Sequence, residues 1–205
     1  VIDGPGTLYA ITSVASGASY GAAQPSNVSM EIGRNGTGVV TVRNGGRLEV
    51  LATDATGNSP ALTLGRGVAS SGTLNIVGSG SAVQLAATST VPGGGPTEAF
   101  NPIMRVGRDG NGELNITGGG KLLIDGQAVS TFADSRGTNL YIGGTNFTDV
   151  GGRGIALVSG AGSEIRLTGS DTHVSVGRGP QSFGQLTVAD QATVSSLGLS
   201  VGNGG

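Results

Sequence analysis

The strongest constraint on this chain is a unit of three short apolar runs that returns five times along its 205 residues. An apolar residue followed by glycine recurs at Ile32-Gly33, Leu64-Gly65, Val106-Gly107, Ile142-Gly143, Val176-Gly177 and Val201-Gly202. Two positions ahead of each apolar member stands another: Met30, Leu62, Met104, Leu140, Val174 and Leu199. That alternation has the period of a strand rather than of a helix, and we call this run strand a. Strand b follows a glycine: Gly38 with Val40 and Val42, Gly72 with Leu74 and Ile76, Gly112 with Leu114 and Ile116, Gly154 with Ala156 and Val158, Gly184 with Leu186 and Val188. Strand c completes the unit with Leu48 and Val50, Val83 and Leu85, Leu122 and Ile124, Ile165 and Leu167, and a weaker Val194 and Ser196.

The intervals between successive strand-a glycines are 32, 42, 36, 34 and 25 residues. Most of the variation falls after strand c, where residues 51–60, 86–102 and 125–138 are long and 168–172 is short. Constant coils with insertions at one corner are the mark of a solenoid. The expectation is one all-β domain over 1–205, a parallel β-helix with three short strands per coil and about five to six coils. Its repeats run approximately over 30–61, 62–103, 104–139, 140–173 and 174–198, with partial coils at 1–29 and 199–205. At the N-terminus, Asp3-Gly4-Pro5-Gly6 reads as a turn and Thr7 to Ile11 as a loose match to strand b.

Composition narrows the alternatives. The 41 glycines lack a G-X-Y period and come with only 7 prolines, which excludes collagen. A net charge of −2 gives no electrostatic drive toward nucleic acid or an anionic membrane. With no cysteine there is neither a thiol nucleophile nor a thiolate metal site. No signal peptide and no apolar run long enough to insert in a membrane is evident, and a chain opening on Val1 reads as a mature piece or fragment.

The turns between strands b and c come in two alternating lengths. Asn44-Gly45-Gly46-Arg47-Leu48 and Gly118-Gly119-Gly120-Lys121-Leu122 are the short form. Gly78-Ser79-Gly80-Ser81-Ala82-Val83 and Gly160-Ala161-Gly162-Ser163-Glu164-Ile165 are one residue longer. Over about residues 30–205 this motif resembles the type V secretion / PEP-CTERM-associated repeat of autotransporter-like bacterial surface proteins. The resemblance implies a right-handed parallel β-helix outside the cytoplasm and brings no catalytic residues. Departures are the degenerate Asp190-Gln191-Ala192 turn and the absence of a translocator barrel.

Candidate sites are few. Arg34, Arg66, Arg108 and Arg178 each follow a strand-a glycine, so stacking would align them along one corner, with Gly144 and Asn203 at the equivalent places. Guanidinium suits carboxylate and phosphate recognition, which points to acidic surface glycan. The plainer reading is that each arginine satisfies turn carbonyls or a local acid such as Asp109 or Asp149. Phe100 and Phe132 mark two insertions leaving one corner, a second candidate binding or assembly surface.

Asp54, Asp109, Asp125, Asp149 and Asp190 fall at unrelated phases, so no calcium-built repeat, metal or cofactor is expected. Outward positions bring no two acids onto neighbouring coils, as a β-helix polysaccharide-degrading enzyme would require. His173 is expected at the surface without an acid or nucleophile partner, and Gly93-Gly94-Gly95-Pro96 lacks the Lys-Ser/Thr of a phosphate loop. The expected function is therefore structural and non-enzymatic, at the cell surface or outside the cell: an adhesin stalk or a head-to-tail fibre or sheath subunit. The partner would be another copy or the rest of a longer parent chain. A glycan-binding module is the alternative.

Overall fold

Runs of alternating apolar residues, each broken by glycine before it can lengthen, leave the chain one way to bury its apolar faces: stacking like run on like run. A computed structural model has this arrangement, with eighteen strands and no helix among the residues it describes (1–12, 28–52, 60–87, 102–126, 137–144, 151–169 and 171–202). Coil one holds β1 (Ile2–Asp3), β2 (Leu8–Thr12) and β3 (Ser29–Ile32), and coil two holds β4 (Thr37–Arg43), β5 (Arg47–Ala52) and β6 (Ala61–Leu64). Coil three is β7 (Ser71–Val77), β8 (Ala82–Ala87) and β9 (Ile103–Val106), and coil four β10 (Asn111–Thr117), β11 (Lys121–Asp125) and β12 (Thr138–Ile142). Coil five is β13 (Arg153–Ser159), β14 (Glu164–Thr168) and β15 (Thr172–Val176), and coil six β16 (Phe183–Ala189), β17 (Thr193–Ser195) and β18 (Gly198–Val201).

Every third strand pairs in parallel, giving three six-stranded sheets, β1-β4-β7-β10-β13-β16, β2-β5-β8-β11-β14-β17 and β3-β6-β9-β12-β15-β18. The register is that of the repeat: Leu74 sits beside Leu114, which sits beside Ala156 and then Leu186. Inward columns form one continuous core, and Leu62, Leu74, Ile76, Leu85, Met104, Leu114, Ile116, Leu122 and Leu140 are fully buried in it. Outward positions alternate with these, so Thr41, Asn75 and Asn115 form a hydrogen-bonded ladder on one outer face. Lys121 and Glu164 lie side by side on neighbouring coils, 2.9 Å apart and partly exposed, a pair that contributes at most about 1 kcal/mol.

The strand-c to strand-a corner carries the long insertions, as the spacing suggests. The strand-a to strand-b corner also varies, from residues 33–36 and 107–110 to the longer 143–152. The expected match of residues 7–11 to strand b is not what forms. Ile2 and Asp3 are the end of strand b, paired with Val42 and Arg43, and Leu8 to Thr12 pair with Arg47 to Leu51 as strand c. The glycines Gly4 and Gly6 thus belong to the turn between strands b and c, both at positive φ. Asp3 also clasps coil two, accepting hydrogen bonds from Asn44 and Arg43. Those bonds, Asn44 first and then Arg43, hold its carboxyl below the ordinary value, so the clasp is lost only as pH falls through that lowered pKa.

The two turn lengths have a physical basis. From the last inward residue of strand b to the first of strand c, the count alternates along the stack. It is seven for Ile2 to Tyr9, six for Val42 to Leu48, seven for Ile76 to Val83, six for Ile116 to Leu122, seven for Val158 to Ile165 and six for Val188 to Val194. A long turn ends on a hydroxyl residue whose oxygen does two jobs. Ser81 donates to Val77 O at 2.8 Å and accepts the N–H of Gly45, in the short turn of the preceding coil, at 3.0 Å. Ser163 does the same with Ser159 O at 2.7 Å and the Gly119 N–H at 3.0 Å. The short turn alone leaves an N–H without a partner, and the long turn above it supplies the acceptor.

The inward and outward phases make a sharp prediction for chemical denaturation. Leu114→Ala should cost about 2–5 kcal/mol, because it opens a cavity in a filled column. Asn115→Ala should cost no more than about 1.5 kcal/mol, the worth of its outer-ladder hydrogen bonds. Equal costs at the two positions would contradict this phase.

Candidate functional site

The strand-a glycines reverse the chain, and the residue after each is drawn into a backbone ladder along the corner. Arg66 N donates to Gly33 O, Arg108 N to Gly65 O, Gly144 N to Gly107 O and Arg178 N to Gly143 O. Arg34, Arg66, Arg108 and Arg178 therefore occupy one column of backbone positions, broken by Gly144. Their side chains part company. Arg34 pairs with Glu31 at 3.2 Å, and Arg66 reaches back one coil to the same Glu31 carboxylate. Arg108 lies 3.4 Å from Asp109 Oδ2, and Arg178 stacks over the Tyr141 ring, its Cζ 4.9 Å from the centroid. The pairing of Arg108 with Asp109 matches the plainer sequence reading. Asp149, Asn203, Phe100 and Phe132 lie outside the described residues.

Two features here were not singled out from sequence. Glu31 bridges the arginines of two coils, and Arg105 stands beside them. Arg105 is outward on β9, next to Thr63 and Tyr141. Burial lowers its pKa, helped by the nearby charges of Arg108 and Arg66 and opposed by Tyr141 and Asp109. It forms no salt bridge with a carboxylate among the described residues. The Arg108 Nε is also buried with no hydrogen bond, since Asp109 is placed for an ion pair but not for a bond along that N–H. Arg66, Arg105 and Arg108 thus gather positive charge on the strand-a face, balanced in part by Glu31 and Asp109. An outward guanidinium in the column next to the arginine column was the signal for Arg105.

His173 is half-buried rather than a free surface residue. Its Nε2 is 2.9 Å from Ser200 Oγ, which donates onward to Ser175 Oγ at 3.2 Å. Ser200 thus links the imidazole to Ser175 along the outer face of strand a. In the outward columns Glu31, Thr63, Arg105, Tyr141, Ser175 and Ser200 are successive neighbours on strand a, and Glu49, Gln84, Leu123, Arg166 and Ser195 on strand c. Neither column sets two acids on neighbouring rungs. Among the described residues no group of three or more His, Asp or Glu side chains is placed to hold a metal ion.

If the corner is structural, Arg105 is a half-buried cation with no carboxylate partner among the described residues, and an apolar replacement of similar length relieves its desolvation. Arg105→Met should then leave the thermal midpoint unchanged or raise it. A fall of several degrees would mean that the guanidinium is satisfied within the fold.

No protein-family model, curated protein sequence or solved structure matches the chain.

Proposed function

We propose that the chain is a non-enzymatic structural repeat protein of the bacterial cell surface or extracellular matrix, serving as an adhesin-type stalk or as a fibre or sheath subunit. The observation that carries this reading is the division between inward and outward columns. Inward columns run unbroken through the stack, whereas outward polar groups pair with the rung beside them, as in the Thr41–Asn75–Asn115 ladder and the Lys121–Glu164 pair. Polar chemistry of that kind stiffens neighbouring coils and converges on no common substrate. Stability that grows coil by coil suits a rigid spacer. Placement outside the cell rests on the resemblance of the alternating turns to surface-protein repeats.

A second reading is favoured by one observation: Arg105, beside Arg66 and Arg108, pairs with no carboxylate among the described residues. It makes the strand-a face a binding site for the carboxylate or sulfate groups of an acidic glycan. Incubation with a panel of neutral and acidic polysaccharides separates the readings. A structural protein releases no new reducing ends or unsaturated products from any of them and binds none in a salt-sensitive way. Salt-sensitive binding that Arg105→Met abolishes would favour the glycan reading, and turnover of any polysaccharide would overturn both.

A further inference from the structure

One cation of the solenoid differs from the rest. Among the described residues, every other lysine and arginine either pairs with a carboxylate or lies over an aromatic ring, and Arg105 does neither. It also stands in a sheltered place. Its neighbours across the ladder, Thr63 and Tyr141, occupy outward positions of strand a and yet are only 5% and 8% exposed. Outward residues of strand b in the same coils, such as Glu113 and Asn115, are exposed or half-buried. The outer side of strand a is therefore screened from water around Arg105, and charges there act on one another more strongly than at an open surface.

Three cations share that place, since after burial it is the like charges of Arg108 and Arg66 that lower the pKa of Arg105. With Arg34, which shares the Glu31 carboxylate with Arg66, four guanidiniums face two carboxylates, Glu31 and Asp109. That surplus of two positive charges stands on a chain whose net charge is −2, so it is a local concentration and not a consequence of composition. A second, independent sign is the Arg108 Nε, which is buried and makes no hydrogen bond although Asp109 lies beside it. A buried donor without an acceptor is uncommon in folded proteins, and a bound oxyanion accounts for it. The Arg108 side chain is still 27% exposed, so a ligand meets it from solvent and a small turn of the guanidinium brings Nε onto that ligand.

From this surplus and this placement we propose that Arg105 and Arg108, with Arg66 adding its field, hold one dianionic phosphoryl group. Charge decides for it. A phosphate monoester carries about −1.5 to −2 near pH 7, which meets the surplus, whereas a carboxylate or a sulfate ester brings a single negative charge. Shape agrees. Arg105 and Arg108 stand on either side of the reversal at Gly107, and a tetrahedral oxyanion offers a different edge to each guanidinium, where a planar carboxylate offers one. The inference rests on the acidic-glycan reading above and narrows it, from acidic groups at large to phosphoryl groups, borne by a sugar or met as the free ion.

Titration calorimetry on the full chain, at low ionic strength in a chloride buffer, tests this with inorganic phosphate, glucose 6-phosphate and glucuronate. Phosphate should bind at one site and about tenfold or more tighter than glucuronate, the effect of one further charged contact. Glucose 6-phosphate binding as tightly as phosphate places the group on a sugar, and its exclusion assigns the free ion. Arg105→Met and Arg108→Met should each weaken phosphate binding about tenfold or more, whereas Arg166→Met, on strand c, should leave it unchanged. Each variant is checked for a cooperative thermal transition in phosphate-free buffer. Should Arg108→Met fail to fold, the Nε–H resonance of Arg108 in the unmodified chain replaces it, and phosphate should shift that resonance saturably. Unchanged phosphate affinity in Arg105→Met, or glucuronate binding without phosphate binding, would overturn the proposal and leave the acidic-glycan reading standing. Binding of none of the three, and of no acidic polysaccharide, would overturn both.

Discussion

Each turn of this solenoid depends on a close backbone contact at the corner between strands a and b. A Cβ built on Gly33, Gly65, Gly107 or Gly143 would sit 2.0–2.1 Å from the carbonyl oxygen of Ser71, Asn111, Arg153 or Phe183, the residue that opens strand b one coil further on. The same glycines have positive φ, which an L side chain rarely adopts. Two requirements therefore fall on one residue: the chain must reverse, and it must leave room for the next coil to lie on the reversal. On the other side of the contact, a Cβ on Gly154 would meet Val106 O at 2.2 Å. The corner sets the coil-to-coil register, and a register fixed once per coil fixes every inward and outward column.

That constraint explains what was legible in the sequence. The apolar-glycine pairs and the glycine before strand b are the residues of this contact, so finding them located the strands, their phase and their partners. Columns such as Leu74, Leu114 and Leu186 and neighbours such as Lys121 and Glu164 follow by counting. Counting failed at the N-terminus because Gly4-Pro5-Gly6 imitates the glycine ahead of strand b. The chain there enters partway through strand b, and only the hydroxyl of Thr7 in the place of Ser81 betrays a long turn. The alternation of turn lengths carried that information, but its reason, an orphan N–H in one turn answered by a hydroxyl in the next, needs coordinates to be seen.

Side-chain pairing was less legible. Sequence spacing put four arginines at one corner, and their backbones do stack there. Which partner each long side chain finds depends on the acids and rings within its reach, which differ from coil to coil. Glu31 takes two arginines, and Arg178 finds a ring instead of an acid. His173 finds its partner for a related reason. Its partner across the ladder is Gly198, where an added Cβ would lie 2.4 Å from Nδ1, so the imidazole fills that space and reaches the next outward rung at Ser200. Missing side chains shape a surface as much as present ones.

If the molecule is a one-dimensional stack held by contacts between neighbouring coils, local stability must follow position in the stack. Backbone amide hydrogen exchange, read residue by residue on dilute monomeric chain, tests this most directly. Protection should recur in all three strands of each coil. It should be greatest in β7, β10 and β13 with their companions in the other two sheets, and should fall toward β1 to β3 at one end and β16 to β18 at the other. Protection missing from one whole sheet, or end coils that exchange more slowly than the central ones, would contradict it.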